Sequence, residues 1–169
     1  GTHVAGIVAA NGPALRGVAP GADLIAVKVC GGSTGTCPTS AMIAGVDYCV
    51  SNINTLGTDI ITMSIGGGHY GPSSTPCPLL MDSSLKLTNY FNIPFTIASG
   101  NAGFDDGIAW PSCSPYATSV GATDISVLTS EVIAGWSNTG INLNLLAPGY
   151  PIYSTYLSGS YLIQGGTSM

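Results

Sequence analysis

The sequence predicts an α/β domain with a mostly parallel central sheet flanked by helices, and three observations carry that expectation. Short apolar runs rich in β-branched residues alternate with stretches of helical periodicity between residues 22 and 99. Those apolar runs are broken by Gly, Pro or polar residues well before the roughly eighteen positions that a membrane helix needs. At 169 residues the chain has the length of one domain, and neither a repeat nor a low-complexity tract interrupts it.

Taken in order, ADLIAVKV (22–29) reads as a buried strand. TSAMIAGVDYCVSNI (39–53) sets Met42, Val46, Cys49, Val50 and Ile53 at helical spacing, with Thr39 or Ser40 available as N-cap. DIITMSI (59–65) is a second strand, a weaker helical pattern covers 78–91, and PFTIAS (94–99) is a third strand. Such alternation calls for right-handed crossovers between parallel strands. After residue 100 the pattern changes to short strands at 117–123, 142–147 and 151–156 with little helix. In open α/β sheets functional groups gather beyond the carboxyl ends of strands, which nominates the loops 30–38, 66–74 and 100–107.

Composition narrows the function. Only Arg16, Lys28 and Lys86 are cationic, and the net charge of −5 repels phosphate backbones and anionic lipid. Nucleic acid and membrane partners are therefore not expected. The 24 glycines point to tight turns and close backbone approaches. Five cysteines with no CxxC spacing favour disulfides over a metal site and an oxidising compartment over the cytosol. Cys30 with Cys37 and Cys77 with Cys113 are the expected pairs, leaving Cys49 within a helix as a free thiol or one whose partner lies elsewhere.

Two motifs match by letter and fail by context. GGGHYG (66–71) has the glycine spacing of a dinucleotide loop, but Pro72, Pro76 and Pro78 prevent the helix that should follow. GGSTG (31–35) has the spacing of a nucleophile elbow, with His69 downstream as in an esterase. Thr36, Cys37 and Pro38 separate it from its helix, so Ser33 reads as a loop serine. By contrast, GTHVAG (1–6) offers His3 as a base. GGTSM (165–169) offers Ser168 at a sharp turn beside free backbone N–H groups. ASGN (98–101) closes the third strand with Asn101, whose amide can donate to a forming charge.

With MSIGGG (63–68) and LAPG (146–149), these motifs stand in the order and approximate spacing of the subtilisin-like serine peptidases, and the whole chain resembles that family. The resemblance implies a three-layer subtilisin-like fold, incomplete in these 169 residues. It makes His3 the general base, Ser168 the nucleophile and Asn101 the oxyanion donor of a serine endopeptidase working through an acyl-enzyme. It also implies that Ser64, Ile65 and Gly66 pair with an extended peptide or protein substrate, and that Ala98, Ser99 and Gly100 wall the pocket. Ala109 lies near the pocket floor, so broad specificity with an apolar residue before the cut is expected. Asp105 and Asp106 read first as solvated, with calcium binding or attraction of a basic substrate residue as alternatives, and the family pattern gives His69 no role. No cofactor is implied for the chemistry; structural calcium fits the resemblance, but no ligands are assigned. A secreted monomer is expected. The family orders its triad Asp, His, Ser, and no aspartate precedes His3 here, so the chain reads as an internal fragment that is inactive by itself. A non-catalytic relative that binds extended peptides is the alternative.

Overall fold

The computed structural model describes residues 1–31, 35–126 and 130–169. Its centre is a parallel sheet built from the apolar runs. β1 (Ile61–Met63) pairs with β3 (Phe95–Ala98), and β3 pairs with β5 (Thr118–Asp124). β7 (Leu145–Tyr150) extends the parallel array from β5, while the short β6 (Val132–Ile133) pairs with β5 in the antiparallel sense. Phe95 and Ile97 are almost completely buried because β3 is covered on both faces, the position in which a continuous apolar run is stable.

Helices cover this sheet. α1 spans Thr2–Ala9, α2 Thr39–Ser51, α3 Ile53–Leu56 and α4 Asp82–Tyr90. The helical spacing of α2 turns Met42, Val46, Cys49 and Val50 inward, and α4 contributes Leu85. Met42, Val46, Val50 and Leu85 meet Met63, Phe95 and Ile97 in one core. Truncating one such side chain to alanine costs about 2–5 kcal/mol. Burial pushes the Cys49 thiol pKa up, as expected for a group whose charged form is poorly solvated there. Cys49 is the free cysteine among the described residues, and the expected disulfides Cys30–Cys37 and Cys77–Cys113 are both present.

Two small antiparallel pairs sit outside the main sheet. β2 (Gly67–Tyr70) pairs with β4 (Ile108–Trp110), with a register shift between Gly67 and Tyr70. β8 (Ile152–Thr155) pairs with β9 (Tyr161–Gln164), and this hairpin carries α1.

The structure corrects three expectations. Residues 22–29 form no strand, and Leu24, Ile25 and Val27 are exposed. Val27 and Val29 instead lean on the bare face of α2 at Gly45. β1 takes β3 as its partner, so composition supplied a strand-forming run without a neighbour to complete it. The cap of α2 is Pro38, whose backbone enters the helix without a side-chain bond from Thr39 or Ser40. Residues 67–70, expected within a loop over 66–74, form β2. Ser33 lies outside the described residues.

Candidate active site

The carboxyl ends of β1 and β3 release two loops side by side, Ser64–Gly66 and Ser99–Asn101, and the turn at 166–169 folds against both. Thr167 makes the junction. Its backbone N–H and its hydroxyl each donate to Asn101 Oδ1 at 2.9 Å, and the same hydroxyl accepts from the Gly100 N–H at 3.1 Å. A backbone N–H can only donate, so the amide atom facing Thr167 must be the oxygen. The NH2 of Asn101 is thereby turned away and left free to donate. Beside it, Ser64 Oγ donates to the Ser168 carbonyl at 3.0 Å. Ser168 is half-buried at the edge of a cavity of about 180 Å³ that Ser64 and Ala98 also line.

Gly100 is required where it stands. Its φ of +107° lies in the region that side chains resist, and a Cβ there would run into the Asn138 amide. Asn138 is the internal brace of this loop. Its Oδ1 accepts from the Ala102 and Phe104 N–H groups at 2.8 and 3.3 Å, and its Nδ2 donates to the Ser99 carbonyl at 3.1 Å. Ser99 is fully buried and donates its hydroxyl to the Asn138 carbonyl, so it stands behind the pocket wall rather than in it.

A second cavity, of about 470 Å³, opens on the other side of Asn101. Gly66, Gly67 and Gly68 form one wall, Gly100, Asn101 and Ala102 the opposite wall, and Ala109 reaches it from β4. Ile65 turns away and packs on the core. His69 and Phe104, whose rings stack with centroids 3.9 Å apart, also line it. Asp106 is not simply solvated, because its Oδ1 lies 2.7 Å from His69 Nε2. Asp105 is exposed.

His3 is buried at the start of α1, which the β8 hydroxyls hold in place. Ser154 Oγ donates to the His3 carbonyl and Thr155 Oγ1 to the Thr2 carbonyl, both at 2.8 Å. Its Nε2 lies 3.0 Å from the Leu162 carbonyl. A carbonyl only accepts, so Nε2 carries the proton and Nδ1 is the bare nitrogen. Nδ1 is buried and has no partner among the described residues. His3 and Ser168 share no hydrogen bond among those residues, so the structure brings Asn101, Ser64 and Ser168 together and leaves His3 committed to Leu162. No cluster of three or more His, Cys, Asp or Glu side chains suited to a metal occurs among the described residues, so calcium ligands stay unassigned.

Thr167, Asn138, His69 and Asp106 were not singled out for these roles by sequence reasoning. SNTG (137–140), a polar run with an Asn between predicted strands, was the available signal for Asn138; the others depend on pairings far apart along the chain.

Comparison with known proteins agrees with the geometry. The model of the Subtilase family matches residues 1–169. Subtilisin DY of Bacillus licheniformis is 36% identical over 171 residues, covering 100% of this chain and 58% of its own length. Subtilisin E of Bacillus subtilis is 36% identical over 174 residues, covering 100% of the chain and 42% of its own length. The crystal structure of a cold adapted subtilisin-like serine proteinase superposes with a TM-score of 0.79 at 30% identity, over 99% of this chain and 55% of that one. The chain thus spans about half the length of these relatives.

Proposed function

The chain belongs to the Subtilase family, and from that premise we propose that the protein carrying it is a serine endopeptidase with Ser168 as nucleophile, His3 as base and Asn101 as oxyanion donor. One observation carries the reading: Thr167 fixes the Asn101 amide with its NH2 free, one residue before Ser168. That couples an electrostatic donor to a nucleophile through the shortest available link. As Ser168 attacks a peptide carbonyl, the Asn101 NH2 and the Ser168 N–H hold the oxygen while it becomes negative. His3 takes the hydroxyl proton and returns it to the leaving amine, and water releases the acyl group.

His3 must first change tautomer. The form bonded to Leu162 presents a protonated Nε2, which cannot accept from Ser168. A carboxylate bonded to the bare, buried Nδ1 would place the proton there and free Nε2 as the base, the role of the triad acid. Loss of that orientation costs about 10⁴ in turnover, which is why residues 1–169 by themselves are proposed to be inactive.

The substrate is an extended peptide or protein lying along Ser64–Gly66, with an uncharged side chain before the cut entering the cavity of Gly66–Gly68 and Ala109. The disulfides favour a secreted protein, and no described helix is long and apolar enough to cross a membrane. The test is labelling of the full-length protein with a fluorophosphonate probe. Ser168 is expected to carry the label and Ser168→Ala to abolish both label and peptide cleavage. A folded protein that binds peptides but is not labelled would overturn the reading in favour of a binding module.

A further inference from the structure

Resting on the peptidase reading above, we propose that His69 in the wall of the substrate side-chain cavity, together with the Asp106 carboxylate bonded to it, forms a charge switch, so that acceptance of lysine or arginine before the cut rises with pH.

The placement is built. The His69 ring is held on three sides: by Asp106 Oδ1 at 2.7 Å from Nε2, by the stacked Phe104 ring, and by Gly107. A Cβ on Gly107 would stand 2.8 Å from His69 Cδ2 and 2.9 Å from Nε2, so the backbone there already touches the ring. His69 and Phe104 line the cavity, and the Asp106 carboxylate, outside that lining, is bonded to the Nε2 edge of the imidazole with its side chain 40% exposed.

The charge inventory is short. The remaining cavity lining is Gly, Ala, Asn and Phe. The 100–107 loop packed against His69 brings Asp106 and the exposed Asp105, β2 itself brings Tyr70, and β4 brings no ionisable side chain. The chain's three cations, Arg16, Lys28 and Lys86, belong to segments that do not line the cavity.

The sign follows. Histidines exchange their charge between pH 5 and 8, whereas carboxylates stay ionised across that range. With His69 protonated, the imidazolium and the Asp106 carboxylate cancel. With His69 neutral, the Asp106 charge beside the cavity wall is uncompensated and favours a substrate cation. At the effective dielectric of a half-exposed site this changes relative acceptance about five- to tenfold.

The test uses the full-length protein and two fluorogenic peptides that differ only in carrying Lys or Leu before the scissile bond. The Lys:Leu ratio of kcat/KM is measured at pH 5.5 and 8.5 at constant ionic strength; ionisation of the catalytic base affects both peptides equally and cancels. The ratio is expected to rise about five- to tenfold. His69→Gln keeps a donor for Asp106 but cannot titrate, so its ratio should sit at the alkaline level at both pH values. Asp106→Asn should lower the ratio at pH 8.5 by a similar factor and guards against a folding defect in the first variant. A ratio that is flat in the unsubstituted protein, that rises unchanged in His69→Gln, or that cannot be formed because the lysine peptide is never cut, overturns this inference alone. Absence of cleavage of both peptides together with no fluorophosphonate label overturns the peptidase reading as well.

Discussion

Replacing Thr167 by valine keeps the shape of the side chain and exchanges its hydroxyl for a methyl, which makes it a clean probe of the junction between the 166–169 turn and the Ser99–Asn101 loop. The hydroxyl serves two partners, accepting from Gly100 N–H and donating to Asn101 Oδ1, and Thr167 is 8% exposed. Valine leaves the Gly100 N–H without its acceptor, a loss of about 1–3 kcal/mol, and deletes one bond to an amide that keeps its second donor, about 0.5–1 kcal/mol. The sum is about 1.5–4 kcal/mol. At a mid-range urea slope of about 2 kcal/mol per molar, the midpoint should fall by about 1–2 M with the slope unchanged. The comparison is made in full-length protein on a Ser168→Ala background, which removes self-digestion. Thr167→Ser restores the hydroxyl and should recover most of the loss. A drop below about 0.5 kcal/mol, or a serine variant as damaged as the valine one, would show that the hydroxyl does not join the two loops.

Three further outcomes follow from the same geometry. Gly100→Ala forces a side chain into positive φ and against the Asn138 amide. It should cost more than the roughly 1–3 kcal/mol of backbone strain alone, and a thermal melt matching the unsubstituted protein would refute this. Asn101→Ala should lower kcat about 10²–10³-fold with little change in KM, the loss known for one oxyanion donor in a subtilisin; a pure KM effect would assign Asn101 to ground-state binding. Because burial raises the Cys49 thiol above its unfolded value, its contribution to stability is complete below the ordinary thiol pKa and is lost as pH rises through the raised one. Urea midpoints between pH 7 and 10.5 should show this alkaline slope and Cys49→Ala should flatten it; identical slopes would refute it.

Much of the centre of the fold was legible in the sequence because buried parallel strands are written as apolar runs. Phe95–Ala98 and Thr118–Asp124 lie within a residue of their expected positions. The same signal misled at 22–29, since an apolar β-branched run encodes the capacity to pair but not the presence of a neighbour. β2 and β4 were hidden for the opposite reason: a glycine-rich strand and a three-residue one carry almost no periodicity, and their pairing is set by the contact between them. Both disulfides were legible from spacing and count. At the candidate site, the motifs named Asn101, Ser64 and Ser168, which the structure brings together. Thr167 and Asn138 were not, because their role lies in hydrogen bonds to residues 66 and 36 positions away. His69 was set aside as a bystander because nothing in GGGHYG reveals that Asp106 will fold onto it.

The side chains around Asn101 fall into two sets with different neighbours. Thr167, Ser168 and Ser64 interlock on the sheet side, whereas His69, Phe104 and Asp106 lean on one another across the cavity mouth, and backbone glycines fill most of the space between. Heritable change can therefore work on one set with little penalty in the other. On the proposed peptidase reading, exchanging His69, Phe104 or Asp106 retunes which side chain is preferred, while the residues proposed to cleave the bond are left unaltered.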